Sequence, residues 1–221
     1  MLVGMSQATA DRSLPLRERK KLRTHRALAG AALRLFAEKG FDATTIDELA
    51  DAAEVSRSTF FRFFPAKEAA GIEAEAELWT ACLAALAERP FSGTVLAGLH
   101  DTLAAAAAGI DDGWDERFLA TRRLIASEPA LLAYVEHYRA TIKGQVAGTL
   151  AGRLGLDPDD LRPYILAELA VAAWSIAGRQ WVRNGGSGGR QALLKRFDDA
   201  IDAIPGSLHL AELAAVEPVC S

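Results

Sequence analysis

Along 221 residues the apolar side chains return at the helical interval and almost nowhere alternate as a half-buried strand requires. Alanine is abundant, runs of β-branched residues are missing, and half of the chain is hydrophobic. A chain patterned this way gains its core by laying helix on helix, so the fold class it predicts is all-α. The breaks between helices are marked chemically. Gly40 is placed to cap a first helix over 16–39, with Phe41 folding back after it. Thr45 and Glu48 have capping-box spacing at the start of a short second helix. Ser56 caps a third over 57–63, and Pro65 ends it. A fourth helix is expected over 66–88, and others over 93–108, 115–126, 129–153, 158–184 and 190–203. Asp157 is the expected cap before Pro158, and Pro205-Gly206 the expected stop of the last. Leu208–Val216 has the pattern of a short additional helix.

Three helices in about fifty residues, the last two short and tightly linked, make a helix-turn-helix arrangement. Its third helix contains S58-T-F-F-R-F-F-P65, four phenylalanines in five positions, in a chain only 7% aromatic. At about 100° per residue, Phe60, Phe63 and Phe64 gather on one side, while Ser58, Phe61 and Arg62 point away and Arg57 sits on the flank. One side is therefore core and the other is displayed.

Charge sharpens the contrast. Residues 12–67 hold twelve Lys/Arg against seven Asp/Glu, whereas the chain as a whole carries −4. A basic head on an acidic body is suited to a polyanion at the head alone. No apolar run has the length of a membrane span, and the first residues lack a signal peptide's apolar centre, so a cytoplasmic location is expected. Cys82 and Cys220 and the four histidines have no metal-type spacing. No Gly-rich phosphate loop, nucleophile with its base, or defined carboxylate pair is present, so neither an enzyme nor a cofactor is expected.

The segment from Arg23 to Glu68 resembles the DNA-binding domain of TetR-type transcriptional regulators. The resemblance rests on A31-A-L-R-L-F36, E38-K-G-F41, T44-T45, L49-A50…V55-S56 and F60…F64-P-A-K67-E68. Residues 1–15 read as a disordered arm and 207–221 as a tail; between them the resemblance implies a helix-turn-helix domain at 16–65 and a ligand-binding and dimerisation bundle at 66–206. The expected DNA-facing set is Thr45, Arg57, Ser58, Thr59, Phe61, Arg62, Phe63 and Lys67. Arg57 and Arg62 are the candidates for guanine O6/N7, and Lys67, Thr45 and Thr59 for phosphates. Two departures from the family pattern matter. Phe61 and Phe63 occupy positions where the family usually places hydroxyl or imidazole donors. Glu54 stands where the family usually has glycine, and the turn is expected to relax so that Glu54 avoids positive φ.

A seven-residue reading helix contacts few bases, so a palindromic double-stranded operator and a homodimer through residues 161–203 are expected. Candidate dimer residues are Leu161, Ile165, Leu169, Ala172, Ala173 and Ile176, with Leu193, Leu194, Phe197 and Ile201. The stretch from Gly155 to Pro163 and the Trp174/Trp181 pair resemble a branch with acyl-CoA-like ligands that includes regulators of mycofactocin genes. Trp79, Phe118, Arg122, Tyr138, Trp174 and Trp181 are the candidate effector contacts, against an alternative reading of each as packing. The resemblance implies a repressor released by a small effector. The alternative is a helical small-molecule-binding module whose head has weakened or lost DNA binding.

Overall fold

The computed structural model describes residues 15–207 and 209–210. Among them are ten helices and no strand: α1 (Leu16–Lys39), α2 (Ile46–Ala52), α3 (Arg57–Phe63), α4 (Lys67–Gly71), α5 (Glu73–Glu88), α6 (Val95–Gly109), α7 (Trp114–Ser127), α8 (Pro129–Leu154), α9 (Leu161–Arg183) and α10 (Gly189–Ser207). None of the described helices is long and apolar enough to cross a membrane, and no described group of His, Cys, Asp and Glu is arranged to hold a metal. Apart from Pro15, Ser207, His209 and Leu210, the N-terminal arm, the tail and the helix expected at 208–216 lie outside the described residues.

The chain packs as two compact units. One comprises the residues up to Ala81 with Gly109–Thr141, the other Cys82–Ala108 with the chain from Ile142 on. In the first, Leu28, Ala32 and Phe36 of α1 meet Leu49 of α2, Phe60 and Phe64 around α3, Ile72, and Ile125, Leu131 and Val135 of α7 and α8. Full burial of each phenylalanine contributes about 1.5–3 kcal/mol, and Phe36 and Phe41 meet edge to face at 5.0 Å. In the second unit Trp174 of α9 meets Phe197 of α10 at 84° and 5.3 Å. His100 of α6 stacks on the same Phe197 and holds Asp198 through Nε2 at 2.7 Å. Cys82 is buried there, and burial pushes its thiol up to about 12, so it stays a protonated, small apolar side chain.

Three element boundaries differ from the sequence reading. The helix expected over 66–88 is two helices, broken at Ile72 (φ −103°, ψ 13°). Gly71 lies so close to α1 that a Cβ there would stand 3.0 Å from the Phe36 ring and 3.1 Å from Leu131. Close approach needs glycine, and glycine weakens the helix at that point by about 1 kcal/mol. The cap of α9 is Asp160, whose side chain accepts from the Arg162 amide at 2.9 Å; Asp157 instead accepts from the Asp159 amide and closes the preceding turn. Finally, α10 runs through Pro205 to Ser207. The proline removes one amide donor, but the Ser207 hydroxyl donates to the Ala203 carbonyl at 2.8 Å and occupies an acceptor of that last turn.

Candidate nucleic-acid interface

The two short helices are set by their caps. Thr45 accepts from the Glu48 amide at 3.2 Å while Glu48 accepts from the Thr45 amide at 2.9 Å, the reciprocal box expected from the spacing. Lys39 pairs with the same carboxylate, and these two contacts pull Glu48 down to about 2. Ser56 accepts from the Thr59 amide at 3.1 Å and starts α3.

Between the two helices Glu54 has φ 55°, so the relaxed turn expected there is not what forms. The reason lies in the closure of α2. The Val55 amide donates to Ala50 at 2.9 Å and the Glu54 amide to Asp51 at 3.0 Å, the paired bonds of a Schellman ending. That pattern requires a left-handed residue after the cap. The same pair closes α9, with Gly186 donating to Trp181 and Gly185 to Val182, and there glycine takes the left-handed position (φ 68°). The chain uses glycine for this closure after α9 and glutamate after α2.

On α3 the division of faces holds. Phe60 and Phe64 are 0% and 4% exposed, Phe63 is half-buried beside the His25 ring, and Phe61 is 45% exposed. Arg57, Ser58 and Arg62 are exposed beside it. The guanidiniums of Arg57 and Arg62 lie 5.7 and 5.5 Å from the rings of Phe61 and Phe63, so each aromatic serves as a platform for an arginine. Arg57 also donates to Asp47 of α2 at 2.9 Å, an exposed pair worth at most about 1 kcal/mol and readily exchanged. The hydroxyls of Ser58 and Thr59 both meet Ser56 Oγ, at 2.9 and 3.0 Å.

Lys67 is partly engaged within the head. Its ammonium donates to the Phe41 and Thr44 carbonyls at 2.7 and 3.2 Å and lies 4.1 Å from the Phe41 ring. It holds the α1–α2 turn from the start of α4. This explains why a lysine stands at a helix start, where the dipole disfavours it, and leaves one N–H for any other partner.

The candidate effector residues divide between the two units. Trp79, Phe118, Arg122 and Tyr138 belong to the first; Trp174 and Trp181, both buried, belong to the second. Phe118 is fully buried and stacked on Trp114 at 4.5 Å. Arg122 is buried and donates to Glu75 Oε2 at 3.1 Å, while Arg139 donates to Glu75 Oε1 at 2.6 Å. Burial opposes ionisation of Glu75, but the two guanidiniums outweigh it and hold the carboxyl below its usual range. Arg122 therefore already has an internal counter-ion. Burial, with Glu75 close by, pushes the Tyr138 hydroxyl up to about 12. Spacing along the sequence does not single out Arg139 and Glu75, because no local pattern joins positions 64 residues apart.

On α9 the side chains of Leu161, Tyr164, Ile165 and Ile176 are exposed, and a groove of about 360 Å³ runs between α9 and α10, lined by Leu169, Ala172, Ile176, Ala200 and Ile204 among others. Of the residues expected on this face, Ala173, Leu193 and Phe197 are instead buried in the unit's own core.

Residues 28–69 match the family model for bacterial regulatory proteins of the tetR family, and residues 93–205 match the model for the MftR C-terminal domain. The transcriptional regulator TcmR of Streptomyces glaucescens is 32% identical over 195 residues, covering 86% of this chain and 86% of that protein. The chain belongs to the TetR family of bacterial regulatory proteins. It is thus a DNA-binding transcriptional regulator in a family of regulators rather than enzymes. MftR of Mycobacterium tuberculosis, named as a mycofactocin biosynthesis transcriptional regulator, is 27% identical over 183 residues, 81% of this chain and 90% of that one. Among solved structures, the TetR-family repressor FadR of Thermus thermophilus, in complex with lauroyl-CoA, aligns with a TM-score of 0.44 and 24% identity, covering 81% of this chain and 92% of that one. Within this TetR-family chain, the helix-turn-helix that the family model spans is the one built by α1 to α3.

Proposed function

We propose that the protein is a cytoplasmic, effector-released repressor that binds a palindromic operator as a homodimer. Residues 16–65 form the reading domain and 66–206 the effector and dimerisation bundle. The observation that carries this reading is the outer edge of α3, where Arg57, Ser58, Phe61 and Arg62 are exposed while Phe60 and Phe64 anchor the helix below. A short, rigidly seated helix with two arginines on its free edge suits major-groove readout, with guanine O6/N7 as their partners and Phe61 against thymine methyls or sugars. Thr45, Ser58 and Thr59 serve the phosphates; Phe63 packs beside them and Lys67 adds its remaining N–H.

A second copy of the chain is the proposed occupant of the apolar face on α9 and α10. One head reads too little sequence to specify a site, and Leu161, Ile165 and Ile176 leave on the surface the kind of patch that a partner helix pair covers. For the effector, the match to an MftR-type C-terminal domain and the aromatic candidates of the first unit, Trp79, Phe118 and Tyr138, support a small hydrophobic or acyl-bearing molecule. Release would run through α5 and α4, since α4 carries Lys67 and Lys67 holds the α1–α2 turn. By linkage, operator and effector weaken each other by one common factor.

The test is a sequence-preference profile of Arg62→Ala against the unaltered protein. The variant is expected to lose discrimination at one base pair per half-site, by about 1–3 kcal/mol, with the rest of the consensus unchanged. An unchanged profile removes Arg62 from the reading set. Equal effector affinity with and without operator rejects release by this route.

A further inference from the structure

Phosphate binding around α3 is thinly supplied. Phe61 and Phe63 carry no donors, Arg57 is shared with Asp47, and Lys67 spends two of its N–H groups on carbonyls. DNA nevertheless carries about one phosphate charge per ~1.7 Å of axis, and its binding depends on neutralising several.

Cations with no ion pair or hydrogen bond among the described residues gather beside the end of α3. A groove of about 480 Å³ opens between the first three turns of α1 and the end of α3, lined by Arg17, Glu18, Lys20, Lys21, Thr24, Arg62 and Phe63. Arg17, Lys20, Lys21 and Thr24 follow the i, i+3, i+4, i+7 spacing of one helical face. Arg17, Lys20, Lys21 and Arg62 are exposed, and none of the four has an ion pair or hydrogen bond among the described residues. Glu18 is the single acid in the lining. Four unpaired cations facing one concavity repel one another, an arrangement that favours an anion between them. Phe63 gives the groove an apolar wall, against which a deoxyribose fits better than bare solvent does.

We propose that this groove is a second DNA-binding site, which seats a stretch of sugar–phosphate backbone beside the base pairs read by α3. Arg17, Lys20 and Lys21 hold phosphate oxygens, the Thr24 hydroxyl donates to a further one, and Arg62 at the rim joins the groove to the bases. The inference rests on the DNA-binding reading of α3 and deepens it: α1 is both the scaffold of the head and a main source of its affinity for the backbone.

The measurement is the salt dependence of binding to a labelled duplex that the full-length protein itself selects from a random pool, alongside a scrambled duplex. For the triple variant R17A/K20A/K21A the slope of log K against log salt is expected to flatten by about 0.9 for every phosphate no longer neutralised, and affinity near 0.1 M salt to fall about tenfold or more on both duplexes. The selected consensus should stay the same, because backbone contacts carry no sequence. Glu18→Gln should act oppositely and tighten both duplexes. Circular dichroism of each variant checks that the head is folded. If the unaltered protein binds but the triple variant keeps its slope and affinity, the groove is not a DNA site and the reading of α3 stands. If the unaltered protein selects no duplex at all, the reading of α3 falls and the groove with it.

Discussion

Glu54 is held left-handed by two backbone hydrogen bonds that no other conformation of the turn would keep. The strain costs about 1–2 kcal/mol, partly offset because a non-glycine residue has less freedom to lose on folding. Glu54→Gly is expected to raise the urea midpoint, corresponding to about 0.5–1 kcal/mol; a midpoint that falls would show that the carboxylate has a stabilising partner. A second residue stores free energy through its proton. Burial raises Glu73 from 4.5 to about 7, with Glu77 adding repulsion, and His25 lies 3.5 Å away with its own basicity lowered by burial, Arg26 and Lys21. Below pH 4.5 Glu73 keeps its proton whether the chain is folded or not, and the group costs nothing. Between about 4.5 and 7 the unfolded chain releases the proton first, so stability falls as pH rises, by on the order of 3 kcal/mol. Glu73→Gln should therefore stabilise the protein at about pH 7.5 and have no effect near pH 4; an equal gain at both would assign the effect to packing.

Among the elements, those with a local chemical signature were legible in the sequence. The Thr45–Glu48 box, the Ser56 cap and the alternation of faces along α3 all depend on residues within one or two turns, so spacing alone locates them. What spacing hid is made by distant partners. The helix expected over 66–88 is interrupted just after Gly71, a position where Phe36 and Leu131, distant in the chain, leave little room for a Cβ. Lys67 reads as a free cation until the Phe41 and Thr44 carbonyls fold beneath it. The Arg122–Glu75–Arg139 cluster has no sequence signal at all. Glu54 departs from expectation for another reason: the strain of one residue is outweighed by the two hydrogen bonds that demand it. In the proposed function Lys67 both holds the α1–α2 turn and adds a phosphate contact, and Lys67→Met tests the pair of roles. Leaving two carbonyls without their donor should cost about 1–3 kcal/mol of stability. It should also weaken all DNA sequences about equally; a loss confined to particular bases would contradict the account of α4.

At the scale of the molecule, the proposed function divides the work between a basic reading head and an acidic body, and assigns to the apolar face on α9 and α10 the pairing of two heads. Placing a charge there, as in Ile165→Asp with Ile176→Asp, is expected to weaken self-association by about 2 kcal/mol or more per site and shift sedimentation toward the monomer, with helix content unchanged. A dimer of unaltered strength would move the interface elsewhere. The central claim is that two copies of α3 together read one duplex. Selection of bound DNA from a random pool by the full-length protein tests it most directly. The account predicts enrichment of a two-fold symmetric sequence, its half-sites about one or more helical turns apart. Recovery of an unsymmetrical sequence, or of none, would contradict it.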